Sequence, residues 1–414
     1  MTPQIKQRIE QIRRGEVPEG YKKTKVGIVP NEWSEESLGK YLQEYKELSN
    51  DIENYPVYSS SRQGLIPQSQ YYDNREAVET NLGYKIVPNG YVTYRHMSDD
   101  DIFHFNMNKT GGEVLVSSEY PVFTSTKKGD LGYLIPMLNS TARFRYFCRT
   151  QKMGGTRTRL YYKNLCTYKT AFAPLPEQQK IAEILSAQDK LIALKEKLIE
   201  EKKRQKKALM QQLLTGKKRL PGFSGEWKST KLKKLLKERK TYSQKGLEYP
   251  HVTLSTEGIY AKTDRYDREH LVKSEDKEYK ITHKGDICYN PANLKFGVIC
   301  VNSFGDAIFS PIYVTFEVQK GVELGFLSNY LMRWDFINAV RKYEEGTVYE
   351  RMAVKPEDFL KFEIKIPSIE EQKAISNVMQ LCDSEIELLQ KDLDQEKQKK
   401  KALMQLLLTG IVRV

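Results

Sequence analysis

The 414-residue sequence is short of what builds a catalytic centre or a membrane anchor. No apolar run approaches the roughly 18 residues that would cross a bilayer. Met1-Thr2-Pro3-Gln4 opens neither a basic-apolar leader nor a lipidation signal. These absences lead us to expect a soluble, cytoplasmic protein with no membrane partner. Cysteine is scarce: Cys148, Cys166, Cys288, Cys300 and Cys382 include no CxxC pair and are odd in number, which argues against a zinc ribbon or a disulfide framework. The five histidines (His96, His104, His251, His270, His283) lack the HExxH spacing that would set two imidazoles on one helix face, so no metal is expected. With no GxxxxGK[ST] loop and no GxSxG elbow, neither a phosphate-cradling loop nor a serine nucleophile is supported. We expect no catalytic residue and no cofactor in this chain.

What is present is a repetition. Lys206-Lys207-Ala208-Leu209-Met210-Gln211 recurs 194 residues later as Lys400-Lys401-Ala402-Leu403-Met404-Gln405, and Leu213-Leu214-Thr215-Gly216 recurs as Leu407-Leu408-Thr409-Gly410. The same offset carries Glu177-Gln178 onto Glu371-Gln372, Glu32-Trp33 onto Glu226-Trp227 and Tyr55-Pro56 onto Tyr249-Pro250. So long a period excludes a solenoid, whose repeats recur every ~20 to 50 residues. It predicts two copies of one globular unit, each followed by a long helix.

The fold class read from these patterns is α+β: two similar globular domains separated by two long antiparallel coiled-coil helices, a dumbbell with pseudo-two-fold symmetry. Thr2, Pro3, the Ile5/Ile9/Ile12 face and Gly15 predict a short first helix, within an N-terminal segment 1–25. Residues 26–173 form the first domain, 174–218 the central helix, 219–367 the second domain and 368–414 the C-terminal helix. Between Glu177 and Thr215 there is neither Pro nor Gly, which allows a helix of about 58 Å. Leu185, Ile192, Ile199, Leu209 and Leu213 fall on the heptad stripe of the first helix. Met379, Ile386, Leu389, Leu393, Leu403 and Leu407 fall on that of the second. Both stripes are interrupted by charge, and both helices are expected to end at the C-cap glycines Gly216 and Gly410.

The surplus of 67 Lys+Arg over 54 Asp+Glu, a net charge of +13, favours a polyanionic partner, because neutralising phosphates releases counterions. Arg143, Arg145, Arg157 and Arg159 are interleaved with aromatics and glycines, and Arg341, Lys342, Tyr349 and Arg351 mirror them in the second half. Arginine can fork onto guanine or phosphate. Two polar turns also match, Ser59-Ser60-Ser61-Arg62-Gln63-Gly64 and Ser255-Thr256-Glu257-Gly258, with Arg62 and Gln63 suited to base edges. Asn290-Pro291-Ala292-Asn293 invites comparison with the Asn/Asp-Pro-Pro-Tyr/Phe element of adenine-N6 methyltransferases, but it lacks the second proline and the aromatic. Its counterpart, one residue out of phase, is Thr93-Tyr94-Arg95-His96. A catalytic motif should not dissolve in one copy, whereas a reading loop should differ between copies. Tyr94, Arg95, Asn290, Asn293 and Lys295 therefore join the expected DNA contacts. Glu275-Asp276-Lys277 has nuclease-like letters but reads better as a solvated turn.

The sequence resembles the specificity subunits of Type I restriction-modification systems over nearly its whole length. The resemblance is carried by Leu175-Pro176-Glu177-Gln178-Gln179-Lys180-Ile181-Ala182, Gln211-Gln212-Leu213-Leu214-Thr215-Gly216, Arg219-Leu220-Pro221-Gly222-Phe223 with Trp227, and Ile366-Pro367 with Glu371-Gln372-Lys373. Ile28-Val29-Pro30-Asn31-Glu32-Trp33 looks like the start of a first recognition domain. The resemblance implies a non-catalytic subunit for defence against foreign DNA, in which each recognition domain reads one half of a split double-stranded target and the helices set the spacing. It further implies two methyltransferase subunits bringing S-adenosylmethionine, and restriction (translocase) subunits using ATP and Mg²⁺. A stand-alone bivalent DNA-binding protein, or a recognition subunit of another modification complex, would fit the residues read by themselves.

Overall fold

The computed structural model describes residues 2–71, 83–152, 154, 156–244, 249–262, 278–344 and 353–414. The chain divides into two compact units, one made of Met1–Glu196 with Asp392–Val414 and the other of Lys197–Lys391. These units do not follow the boundaries drawn from sequence. The division falls within the long helices Leu175–Leu213 and Ile369–Leu407, so each unit owns half of each helix.

The duplication extends to strand register. In the first unit, Ser34–Ser37 pairs antiparallel with Lys169–Phe172, and in the second Lys228–Lys231 pairs with Glu363–Ile366, each strand displaced by the same 194 residues. The central four-stranded sheet runs Asn106–Met107, Val92–Thr93, Val122–Ser125, Leu42–Tyr45 in the first unit. In the second it runs Ile299–Val301, Ile287–Tyr289, Val314–Val318, Leu236–Glu238, the same order. A three-stranded antiparallel sheet accompanies each. The cores beneath are aromatic: Trp33, Tyr94, Phe105, Phe123, Tyr133, Phe144 and Phe172 in one unit, Tyr289, Phe316, Phe336 and Phe359 in the other.

The motif residues that open and close the helices prove to be fasteners. Gln178 accepts a hydrogen bond from the Asp130 backbone N–H (3.0 Å) and donates to the Ala173 carbonyl (2.8 Å). Gln372 does the same with Glu323 (2.9 Å) and Pro367 (3.0 Å). Each glutamine stitches a helix start to the cap of a shorter helix in its own unit, Leu131–Ser140 or Leu324–Leu331. The neighbouring glutamates are buried and salt-bridged, Glu177 to Arg413 (2.5 Å) and Glu371 to Arg219 (2.5 and 2.6 Å). Those arginines follow the C-termini of the opposite helices, so in each unit the start of one helix is locked to the end of the other. The C-caps close identically. Thr215 and Thr409 bond back to the carbonyls four residues earlier (2.6 Å each), and Lys218 and Val412 donate six residues back. Gly216 and Gly410 adopt φ of +70° and +71°, the left-handed Schellman geometry. Their missing Cβ atoms let a tryptophan approach: a Cβ on Gly216 would sit 3.3 Å from Trp227, and one on Gly410 3.2 Å from Trp33.

Every heptad position predicted from sequence is buried or half-buried. Leu185, Ile199, Leu213, Met379, Leu393 and Leu407 are the most deeply covered. The charges that interrupt the stripes are paired across the helices in antiparallel sense. In the first unit Gln188 meets Glu396 (2.6 Å), Asp189 meets Lys400 (2.5 Å), Lys195 meets Asp392, and Glu196 meets Lys397 (2.7 Å). In the second, Lys202 meets Glu385 and Lys206 meets Asp383, both at 2.5 Å. Exposed pairs of this kind contribute only about 0 to 1 kcal/mol each. Their main effect is to specify direction and register, as polar seam residues do in coiled coils.

Candidate nucleic-acid interface

A buried tyrosine in each unit anchors the loop from which an interface can be built. The Tyr94 hydroxyl donates to the Leu160 carbonyl (2.9 Å) and Tyr289 to the matching Val354 carbonyl (3.0 Å). Tyr94 is wholly buried between Phe105 and Phe123, and burial raises its phenol well above the ordinary range. It therefore cannot contact DNA as the sequence reading expected. Its place is in the frame, and what it fixes is the origin of the loop that follows.

In the first unit that loop brings together several predicted residues. Arg62 and Gln63 form the tip of the hairpin Tyr58–Ser61/Gly64–Pro67, with Gly64 at φ +121°. Ser61 Oγ donates to the Gly64 carbonyl and accepts from the Gln63 N–H, while Asn106 donates to Ser60 and to the Ser61 carbonyl (2.8 Å each). The tip faces the loop carrying Arg95 across a cleft of about 300 Å³, also lined by Asp99, Phe103 and His104. Arg62 is salt-bridged to Asp100 (2.6 Å) and Arg157 to Asp99 (2.7 Å). Arg159 is exposed on a strand paired with Met97, and Arg145 is exposed on the helix Ala142–Thr150. Burial, then the positive charges of Arg62 and Arg145, hold the His104 imidazole below its usual pKa, which places both arginines within electrostatic reach of this side. Arg143 goes elsewhere. Its guanidinium is tied to the Val26 and Lys25 carbonyls, where it braces a turn outside the cleft.

The second unit has the same frame with different chemistry. Its hairpin Val252–Ser255/Gly258–Ala261 has Thr256 and Glu257 at the tip, and Ser255 repeats the hydrogen bonds of Ser61. Asn290 is buried, and its carbonyl oxygen accepts from the Ala292 and Asn293 N–H groups (3.1 and 3.3 Å). That oxygen caps a turn, so Asn290 shapes the loop and is corrected from reader to support. Asn293 is half-buried. Lys295 is exposed, its ammonium 5.2 Å from the Phe296 ring. Phe296 is 59% exposed and Trp334, packed beside Gly297, is 50% exposed, an aromatic surface beyond the reach of the sequence reading. Arg341 is paired with Glu344 (2.8 Å), and Lys342 lies over the Tyr343 and Phe362 rings (5.1 and 5.6 Å). Tyr349 and Arg351, with Glu275-Asp276-Lys277, lie outside the described residues.

Two further observations bear on chemistry. Burial pushes the Cys148 and Cys288 thiols up to about 12 and Cys300 to about 11, so these thiols are protonated and unreactive at neutral pH. On the long helices a second group of leucines stands outside the seam: Leu191 and Leu194 in the first unit, Leu198, Leu381 and Leu388 in the second. Leu194 and Leu388 are equivalent by the 194-residue offset, and are 64% and 65% exposed. The heptad reading does not reach them, although the repeat itself was the available signal.

The family described as Type I restriction modification DNA specificity domain matches residues 37–204. A Methanocaldococcus jannaschii protein, provisionally named the type I restriction enzyme MjaX specificity subunit, is 25% identical over 436 residues, covering 96% of this chain and 97% of the relative. The MjaVIII specificity subunit of the same organism is 23% identical, covering 93% and 94%. In fold, the chain resembles the S subunit of a Type I restriction-modification system from M. genitalium, with TM-score 0.53 and 11% identity over 91% of this chain and 96% of that one. It also resembles a chain solved in a study of type I complex assembly and conformational transition, with TM-score 0.55 and 14% identity over 93% and 99%. The family match over residues 37–204, the end-to-end relatives and the shared fold all fall among Type I restriction-modification specificity subunits, and this similarity agrees with the duplicated frame and its helix fasteners.

Proposed function

We propose that this chain is the sequence-specific, non-catalytic DNA-recognition subunit of a Type I restriction-modification complex. Each unit reads one half of a bipartite double-stranded target. The observation that carries this reading is the contrast between the two copies. Their fasteners, caps and strand register are the same, while the exposed chemistry differs: Arg62-Gln63 against Thr256-Glu257 at the hairpin tips, and an arginine-aspartate loop against Lys295-Phe296 in the loops after the buried tyrosines. A common frame with unlike reading surfaces suits two different half-sites. Phosphate contacts by exposed Arg and Lys supply affinity through counterion release, and base-edge contacts supply discrimination.

The 39-residue helices, about 58 Å each, act as the spacer. Leu194 and Leu388, equivalent and exposed, are where two methyltransferase subunits dock. S-adenosylmethionine is carried by those subunits, and ATP with Mg²⁺ by the restriction (translocase) subunits. Among the described residues no helix is long and apolar enough to cross a membrane, and we place the complex in the cytoplasm. The test is co-expression with its methyltransferase, mapping of methylated adenines, and exchange of residues 33–170 for those of another family member. One half of the target should change and the other persist. An unchanged target, or change in both halves, would overturn the reading.

A further inference from the structure

We infer that Asp99 and Asp100 are positioning residues that set how strictly the first unit discriminates its half-site, acting through Arg157 and Arg62. The inference rests on the DNA-reading role proposed above. Carboxylates on a surface meant for a polyanion weaken binding, so their presence on the loop beside the cleft calls for a reason. Stability does not supply one. The side chains of Arg62 and Arg157 are 62% and 50% exposed, and ion pairs that open to solvent contribute little.

Geometry supplies a better one. Asp100 is held in place, since its carboxylate also accepts from Ser98 Oγ (2.8 Å) and the Ile102 N–H (3.4 Å). The next residue, Asp101, is bonded to Thr158 and has φ +62°, the one left-handed non-glycine among the described residues. Strain of this kind persists where surrounding contacts over-determine the backbone, and it gathers at functional sites. Asp100 is thus rigidly placed, Asp99 directly precedes it on the same loop, and each takes only part of a guanidinium. Asp100 engages Arg62 through Nη2, whose second N–H remains for an edge shared with a neighbouring nitrogen, while Asp99 engages Arg157 through Nε, leaving the edge formed by both terminal nitrogens. A guanidinium has five N–H donors in a fixed fork, so its free edge can still pair with guanine O6 and N7. Holding the fork limits the bases it can meet, and neutralising it limits attraction to any phosphate. The aspartates give up affinity common to all sequences and gain selectivity.

The experiment uses the full-length chain in complex with its methyltransferase, with targets taken from the methylation map. Binding of the wild type, Asp99→Asn, Asp100→Asn and Arg62→Lys is measured on the mapped duplex, on duplexes altered in either half, and on unrelated DNA, at several salt concentrations. The asparagine variants should bind unrelated DNA more tightly, with a salt slope steeper by about 0.9 for each new phosphate contact. Discrimination should fall on the order of tenfold in one half-site only. Arg62→Lys keeps the charge and loses the fork, so it should lose the same discrimination without a steeper slope. If the asparagine variants bind all duplexes better by one common factor, or weaken on all of them, the positioning role is overturned. Failure of the wild type to discriminate either half would instead overturn the DNA-reading role itself.

Discussion

The two glutamate fasteners look alike but should not cost the same to break. Glu371 is 2% exposed, and both its oxygens face Arg219, through Nε at 2.5 Å and Nη2 at 2.6 Å. Glu177 is 5% exposed and shares its charge between Arg413 and the Trp33 indole N–H at 3.0 Å, while the Trp227 indole N–H has no hydrogen-bond partner. Removing one partner of a buried ion pair costs about 3 to 5 kcal/mol, because the other charge stays buried. Arg219→Met should therefore fall near the lower end, about 3 kcal/mol, since its side chain is a quarter exposed and water can enter. Arg413→Met leaves Glu177 with its indole donor, and a hydrogen bond to a charged group contributes about 1.5 to 3 kcal/mol. Its cost should be about 1 to 2 kcal/mol. For units of roughly 200 residues, each 1 kcal/mol shifts Tm by about 2 to 4 °C. Calorimetry should show the second unit of Arg219→Met melting about 6 to 12 °C early and the first unit of Arg413→Met only about 2 to 8 °C early, with hydrogen exchange assigning each transition. Arg219→Met with Glu371→Met should recover much of the loss, because an apolar pair carries no unpaired charge. Equal losses in the two single variants, or a larger loss in Arg413→Met, would refute the account.

Leu194→Glu and Leu388→Glu alter exposed positions and should change stability by no more than about 0.5 kcal/mol; native mass spectrometry should find each variant missing one of two methyltransferase subunits, and full occupancy would place docking elsewhere. A fragment of residues 1–222 lacks Leu403, Met404, Leu407 and Leu408, which pack on the first unit's core, but retains their equivalents Leu209, Met210, Leu213 and Leu214 with Arg219. Two such fragments should pair with true two-fold symmetry, and Arg219→Glu should shift them towards monomer in analytical ultracentrifugation. Burial depresses the His96 pKa in the first unit. Stability from its neutral form is complete above the ordinary imidazole value of about 6.5 and is lost as the pH falls below it. Lowering the pH from about 7 to 5 should reduce exchange protection in that unit, and His96→Gln should flatten, without abolishing, the slope, because His104 is shifted the same way.

Features that are local or periodic were legible in the sequence. The helix stripes and C-cap glycines follow from heptad spacing and from Leu-Leu-Thr-Gly, and the structure covers every position so named. The roles of Glu177 and Glu371 were not legible, because their partners Arg413 and Arg219 lie 236 and 152 residues away. Tyr94 was misread for a different reason. Val92, Thr93 and Tyr94 are all buried, so the segment lacks the alternation that would separate an inward from an outward side chain. Its match to Tyr289 was the usable clue, since a residue kept in both copies while its neighbours differ belongs to the frame. Asn290 had a local clue, because Asn before Pro favours a turn in which the side chain bonds the backbone.

The separation of frame from reading surface also has an energetic consequence. The frame is held by bonds that do not depend on what the loops carry: backbone pairing, buried glutamine stitches, and tyrosine hydroxyls on main-chain carbonyls. Leaving a buried group of this frame without its hydrogen-bond partner costs about 1 to 3 kcal/mol, a large part of the 5 to 15 kcal/mol or so by which a domain is stable. Exchanging an exposed tip residue such as Gln63 or Thr256 falls within about 0.5 kcal/mol. Substitutions at the tips can therefore alter what is read while leaving the fold intact, whereas substitutions at the fasteners threaten a whole unit. The two halves of this chain already display that outcome, having kept Glu177 and Glu371, Arg413 and Arg219, Tyr94 and Tyr289 while diverging at Arg62 and Thr256, Asp100 and Lys295.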